Sequence, residues 1–91
     1  MFIESGNYEV LLAYTFRQVV INEKEDDMLI NRLGFFFDTI EINPNRVSFM
    51  KNDNPVYYIQ LKGFLHFKQR VDFPNFFEVT YKNYSIEIYF P

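Results

Sequence analysis

The sequence predicts an α+β domain, built from one twisted and mostly antiparallel sheet of about five to six strands, with a single short helix after the first strand. Three observations predict this class. Apolar and polar residues alternate over residues 56–70, which is the period of a strand with one buried face. Polar segments rich in Asn, Asp and Pro divide the second half of the chain into strand-length runs. The connections are short, which favours antiparallel neighbours. A small β-barrel is the alternative.

The single helix is expected over approximately residues 23–33. Glu25 stands three residues after an asparagine, which is the spacing of an N-cap pair, and the acids around it favour the positive end of a helix dipole. Leu29 and Leu33 share one face at a spacing of four residues. Gly34 follows as the residue after the C-cap, which fixes the expected end of the helix.

The remaining elements are expected to be strands. A long strand, or two short ones in succession, is predicted over residues 8–21, because apolar side chains fall on alternate positions there. The other segments predicted as strands are residues 35–42, 46–51, 56–70, 77–81 and 84–90, with polar breaks at 43–45, 52–55 and 72–75 and a tight turn at 82–83.

The composition fits one cysteine-free domain that spans residues 1–91. No segment reaches the ~18 consecutive apolar residues of a membrane span, and no basic and apolar leader opens the chain, so a cytoplasmic location is expected. The lack of Cys excludes disulfides and thiolate chemistry. Phe and Tyr make up 21% of the chain, so some rings are expected on the surface, where apolar patches bind partners. The abundance of Phe, Tyr, Asn, Ile and Lys is typical of an AT-rich genome, as in many phages.

The sequence favours a protein without catalytic activity. His66 is the only histidine, and no serine stands in the G-x-S-x-G setting of a nucleophile elbow. The acidic residues Glu23, Glu25, Asp26 and Asp27 are densely clustered, but they lack the spaced ligands and the glycine of a calcium loop. Acids at the start of a helix explain them. We therefore expect neither a metal site nor a cofactor.

The leading hypothesis is a small binding protein, of the type that phages and viruses use to bind and inhibit a host defence protein. The chain is acidic, with a net charge of −3, and its surplus Tyr and Phe suit interface hot spots. The cluster of Glu23, Glu25, Asp26 and Asp27 would steer it to a basic or nucleic-acid-binding host protein. The final strand, as an exposed edge, could pair with itself in a homodimer. A structural subunit of a larger assembly is a further alternative.

The second hypothesis is a single-stranded nucleic-acid-binding domain. The motif Lys62-Gly63-Phe64-Leu65-His66-Phe67 resembles the core strand motif of RNA-recognition and cold-shock domains, in which basic and aromatic side chains contact phosphates and stack bases. The resemblance implies that Lys62 contacts phosphate, that Phe64 stacks a base and that His66 takes another aromatic position. The face would consist of Tyr58, Lys62, Phe64, His66, Lys68 and Arg70.

Overall fold

The chain folds into two antiparallel sheets in a computed structural model that describes residues 1–4, 7–61 and 66–91. The elements in chain order are β1 (Phe2–Glu4), a 3-10 helix (Tyr8–Ala13), β2 (Arg17–Glu25), β3 (Met28–Phe37), β4 (Thr39–Asn43), β5 (Arg46–Lys51), β6 (Asn54–Gln60), β7 (His66–Arg70), β8 (Phe76–Tyr81) and β9 (Tyr84–Tyr89). The large sheet has the order β1-β7-β8-β9-β2-β3 and the small sheet the order β4-β5-β6. The predicted mostly antiparallel fold is confirmed, and the described strands do not close into a barrel.

The core lies between the two sheets and consists mainly of aromatic rings. Phe90 is fully buried, and its ring centroid lies 4.0 Å from that of Tyr14 in a stacked arrangement. Phe37 and Phe77 of the large sheet and Phe49 of the small sheet surround the same ring, with centroids 6.0, 6.2 and 6.5 Å away. Each ring buries a large apolar area, so this cluster joins both sheets to the segment before β2.

The helix predicted over residues 23–33 is wrong, because this segment forms the hairpin of β2 and β3. Asp26 and Asp27 have φ angles of 52° and 64°, as the two central residues of a type I′ hairpin turn require. Strand β2 pairs with β3 on one side and with β9 on the other, so strands satisfy its backbone groups. The spacing of Leu29 and Leu33 does not distinguish a helix from a strand, since positions four apart share a face in a helix and in a regular strand.

The strand predicted over residues 8–21 is correct only in its second part. The first part is the 3-10 helix, where the Asn7 side chain accepts a hydrogen bond from the backbone N–H of Glu9 at 2.9 Å. Phe16 then has a φ of 50°, which breaks any extended path between the two parts. Of the alternate apolar side chains that suggested a strand, Leu12 and Phe16 are exposed, whereas Leu11, which lies outside that alternation, is fully buried.

The alternating segment 56–70 is not one strand. Its first part belongs to β6 in the small sheet and its last part to β7 in the large sheet. The predicted alternation of faces nevertheless holds for the described residues, since Ile59 and Phe67 are buried while Tyr58 and His66 are exposed. The sequence therefore predicted the inward and outward faces correctly and missed the change of sheet.

The last hairpin has the predicted turn but not the predicted place in the sheet. Strands β8 and β9 flank a two-residue turn at residues 82–83, and β5 has the predicted bounds. Strand β9 lies between β8 and β2, so the exposed edge expected there is wrong, whereas the homodimer stays a prediction. The edges of the large sheet are β1 and β3. In the part of the chain that the structure describes, no helix is long and apolar enough to cross a membrane.

Candidate functional site

The predicted acidic cluster is divided between two places. Glu25 ends β2, and Asp26 and Asp27 form the exposed turn of the β2–β3 hairpin. The backbone N–H of Asp26 donates to the carbonyl oxygen of Asn83 at 2.9 Å, and Nδ2 of Asn83 donates to the Asp26 carboxylate at 2.9 Å. These two hydrogen bonds therefore hold the acidic turn of the β2–β3 hairpin against the turn of the β8–β9 hairpin.

Glu23, the fourth acid, points toward the other sheet and is only partly exposed. Its Oε1 accepts a hydrogen bond from Nδ2 of Asn31 at 3.1 Å, and its Oε2 accepts one from the Tyr57 hydroxyl at 2.8 Å. Burial and then the hydrogen bond to Glu23 raise the pKa of Tyr57 above its ordinary range. Burial and the Glu23 charge also raise the pKa of Tyr84. The Glu23 carboxyl group is thus held by hydrogen bonds between the two sheets.

An apolar run follows the acidic tip directly. Met28, Leu29 and Ile30 are 70%, 52% and 56% exposed, which places three consecutive apolar side chains on the surface. The pairing of β2 with β3 shifts register between Glu23 and Lys24, so the hairpin carries a bulge beside these residues. Sequence analysis assigned them to a helix face and missed them. The signal that could have found them is the Asp-Asp turn, which makes the residues after it the start of a return strand.

The outer edge of β3 is open along its length. Among the described residues, β3 pairs only with β2, so about half of its backbone N–H and C=O groups point away from the sheet. Phe36, near the far end of the strand, is 62% exposed. The hairpin tip and this edge together, residues 25–36, are named here the tip-and-edge surface. It combines negative charge, exposed apolar side chains and free strand hydrogen-bonding groups.

The described residues of the predicted nucleic-acid face belong to two different sheets. Tyr58 lies on β6 of the small sheet, whereas His66, Lys68 and Arg70 lie on β7 of the large sheet. Lys62 and Phe64, the two residues that carry the resemblance to RNA-recognition and cold-shock motifs, lie outside the described residues.

Each described basic side chain of β7 has an acidic neighbour. His66 Nδ1 lies 3.5 Å from Glu4 Oε1 across the β1–β7 pair. Lys68 stands directly between Glu4 of β1 and Glu78 of β8. Arg70 Nε donates to Oδ1 of Asp72 at 3.1 Å, and this bond is the main reason that the pKa of Asp72 is lowered. Phosphate binding depends on uncompensated positive charge, so these pairs do not favour it.

The structure also defines a cleft between the sheets, which sequence analysis did not predict. It has a volume of about 440 Å³ and is lined by Glu23, Tyr57, Tyr58, Ile59, Gln60, Val79, Tyr81, Tyr84 and Ile86. Tyr81 and Tyr84 flank the predicted 82–83 turn as a cross-strand pair, so their common face was accessible to sequence reasoning. The approach of Tyr57 to Glu23, which are 34 residues apart, was not. Among the described residues, no group of three or more His, Cys, Asp or Glu side chains could hold a metal ion.

Comparison with known proteins identifies no relative. No protein-family model matches the chain, and no curated protein or solved structure matches it.

Proposed function

We propose that this protein acts by binding, without catalysis of its own, and that it captures a protein partner through the tip-and-edge surface. The observation that carries the proposal is the run of exposed Met28, Leu29 and Ile30 on β3, whose outer edge pairs with no strand in the described part of the chain. An exposed apolar edge is unfavourable for a monomer, because it is a template for strand pairing with another chain. A partner that adds a strand to β3 would satisfy the free backbone groups and cover the apolar side chains.

The negative charge at the hairpin tip favours a basic partner. Glu25, Asp26 and Asp27 stand exposed at the end of this edge, so a basic segment would be attracted to the hairpin. This supports the host-protein hypothesis in its specific form, in which a phage-type inhibitor occupies a basic surface of a host enzyme. The acids would increase the rate of association, and the apolar run would hold the partner once bound.

The experiment is affinity capture from a bacterial lysate with four versions of the chain. These are the natural sequence, an edge variant Leu29→Lys/Ile30→Lys, an acid variant Glu25→Gln/Asp27→Asn, and a control Val71→Lys. Val71 is 54% exposed, so its replacement makes a matched apolar-to-charged change away from the hairpin. Asp26 is kept in all versions because it bonds Asn83. Circular dichroism confirms that each variant is folded.

We expect the natural sequence and the control to capture the same protein, and the edge variant to lose it. The acid variant should bind with a slower association rate, which surface plasmon resonance measures at low and high salt. A protein captured equally by the natural sequence and the edge variant would contradict the proposal. Titration of a labelled single-stranded oligonucleotide at low salt checks the alternative, and tight, salt-sensitive binding would replace a protein partner with nucleic acid.

A further inference from the structure

The two sheets part at one end of their interface, where the rows of core-facing side chains change from apolar to polar. On β2 the fully buried Val19 and Ile21 are followed on the same face by Glu23. On β8 and β9 the corresponding rows end in Tyr81 and Tyr84, opposite each other beside the turn. The core therefore ends in a cleft of about 440 Å³. That volume is within the ~300–1,000 Å³ of sites for small ligands.

One full negative charge lies in the wall of this cleft. Glu23 is oriented by Asn31 and by the Tyr57 hydroxyl, so its position is fixed before any ligand arrives. No basic side chain lines the cleft among the described residues. The nearest polar groups are tyrosine hydroxyls and the Gln60 amide. A cationic ligand would find a preorganised counter-charge here.

The other walls combine tyrosines with the aliphatic side chains of Ile59, Val79 and Ile86, and two of the lining tyrosines already hold cations of the chain. The guanidinium carbon of Arg46 lies 4.9 Å from the centroid of the Tyr58 ring, and Nζ of Lys82 lies 5.4 Å from that of Tyr81. Both distances are within the ~6 Å over which a ring quadrupole attracts positive charge. Tyr57 and Tyr84 also line the cleft, and the Tyr57 hydroxyl donates to Glu23. Tyr57, Tyr81 and Tyr84, on the core-facing rows of their strands, thus share the cleft with one carboxylate.

We propose that this cleft binds a small organic cation of the alkylated-ammonium class, with Glu23 as counter-ion and the tyrosine rings as its cage. The proposal is independent of the partner-binding proposed for the tip-and-edge surface. Quaternary ammonium groups are the cations that aromatic cages recognise, because they attract ring faces and have no N–H groups to satisfy. The shared chemistry covers a free metabolite such as choline and a methylated lysine side chain of a protein.

The hydrogen bonds of Glu23 distinguish this class from a guanidinium. Both carboxylate oxygens already accept a hydrogen bond, one from Asn31 and one from Tyr57. An arginine side chain binds a carboxylate best through two parallel N–H···O bonds, which would have to compete with those donors. An alkylated ammonium needs only the charge and the rings. We therefore expect it to bind more tightly than a guanidinium.

The first experiment titrates the protein with four probes and follows the tyrosine ring signals by NMR. The probes are choline, 3,3-dimethyl-1-butanol as its neutral isostere, N-acetyl-trimethyllysine amide and N-acetyl-arginine amide. We expect choline and the trimethyllysine probe to shift the signals of Tyr57 and Tyr84 saturably. The neutral isostere should bind about tenfold more weakly, because it lacks the charge. Whichever of the two ammonium probes binds more tightly identifies the source of the ligand.

Variants then assign the roles. Glu23→Gln should weaken choline binding about tenfold and leave binding of the neutral isostere unchanged. Tyr84→Phe keeps the ring and should bind normally, whereas Tyr84→Leu should lose the cation. Glu41→Gln is the matched control, because Glu41 is an exposed glutamate on β4 that does not line the cleft. Thermal unfolding of each variant shows whether a loss of binding reflects a loss of folding.

Three results would overturn the proposal. Equal binding of choline and its neutral isostere would make the cleft an apolar groove without selectivity for charge. Tighter binding of the arginine probe would assign it to guanidinium groups. Unchanged tyrosine signals with every probe at millimolar concentration would show that the cleft is not a cation site. None of these results bears on capture of a partner by β3, which uses residues outside the cleft.

Discussion

Two residues on the same face of one strand have different roles in this protein, because they stand at different points along it. Glu23 and Glu25 lie two positions apart on β2, yet Glu23 reaches the cleft while Glu25 is exposed at the hairpin tip. The sequence showed the density of acids here, but not that one of them would be surrounded by tyrosines. That contact depends on β6, a strand of the other sheet, for which no local pattern gives the relative position.

Glu78 offers a prediction at this scale. It stands directly opposite Glu87 in the β8–β9 pair, and burial together with the Glu87 charge raises its pKa. Like charges facing across a strand pair destabilise a sheet. We expect Glu78→Gln to increase the free energy of unfolding at pH 7 by about 0.2–1 kcal/mol. Urea unfolding at pH 7 measures the change.

The pH dependence of the stabilisation by Glu78→Gln tests this explanation. Because the folded-state pKa of Glu78 is raised, the natural protein protonates this group on acidification before its unfolded chain does, and the repulsion disappears. The advantage of the glutamine variant should therefore shrink as pH falls through that raised pKa. Glu41→Gln is the control, since Glu41 faces Ser48. Equal effects of the two substitutions would contradict the prediction.

At the scale of elements, the strands bounded by polar turns were predictable and the β2–β3 hairpin was not. The Asn-Pro-Asn segment before β5 and the tight turn before β9 have backbone preferences of their own, so local sequence predicts them. Residues 23–33 carry weaker and conflicting signals, and pairing with β9 decides their conformation. The 3-10 helix at Tyr8–Ala13 likewise depends on its contact with the core, where Leu11 is buried.

Substitutions in the β5–β6 turn show how much the backbone preferences of turn residues contribute to stability. Asn52 and Asp53 have φ angles of 51° and 64°, the left-handed region that a type I′ turn requires. Glycine reaches this region without a steric penalty. We expect Asp53→Gly to stabilise the protein by about 0.5 kcal/mol and Asp53→Ala to destabilise it by about 1 kcal/mol. Thermal unfolding of both variants measures the difference, and effects of the same sign would contradict the assignment.

The molecule as a whole is held together by rings that belong to different elements. Phe90 contacts Phe77 and Phe37 of the large sheet, Phe49 of the small sheet and Tyr14 before β2. The composition of the sequence predicted that the core would be rich in aromatic rings, but not which rings would be in contact. Which rings meet follows from the packing of the sheets, and no spacing along the chain encodes it.

Phe90→Ala should therefore lower the stability of both sheets together, and not that of a single strand. We expect a loss of about 3–5 kcal/mol, as for other buried phenylalanines. Phe73→Ala, at a ring that is 51% exposed, should cost less than about 1 kcal/mol. If the alanine variant is unfolded, Phe90→Leu provides an intermediate loss that urea unfolding can measure. Similar losses for Phe73→Ala and Phe90→Ala would show that Phe90 does not join the sheets.

Alkaline pH acts on the whole molecule through its tyrosines. Burial is the main cause of raised pKa values at Tyr8, Tyr14, Tyr57 and Tyr84. Their unfolded forms release protons near pH ~10, before the folded forms do, so stability should fall as pH rises above that value. Urea midpoints measured from neutral to alkaline pH check the direction. The double variant Tyr57→Phe/Tyr84→Phe should show a shallower fall, and an equal slope would contradict this origin.

The pairing of β2 with β9 also has a consequence for how the chain folds. It joins Val20 to Tyr89, which are about three quarters of the chain apart, whereas β4, β5 and β6 follow one another through short turns. Closing a long loop costs entropy before any contact rewards it. The three-stranded meander is therefore expected to form early in refolding, and the large sheet to be completed in the rate-limiting step. Until β9 is inserted, β2 and β3 are exposed together, and in that interval a newly made chain is most open to misassembly.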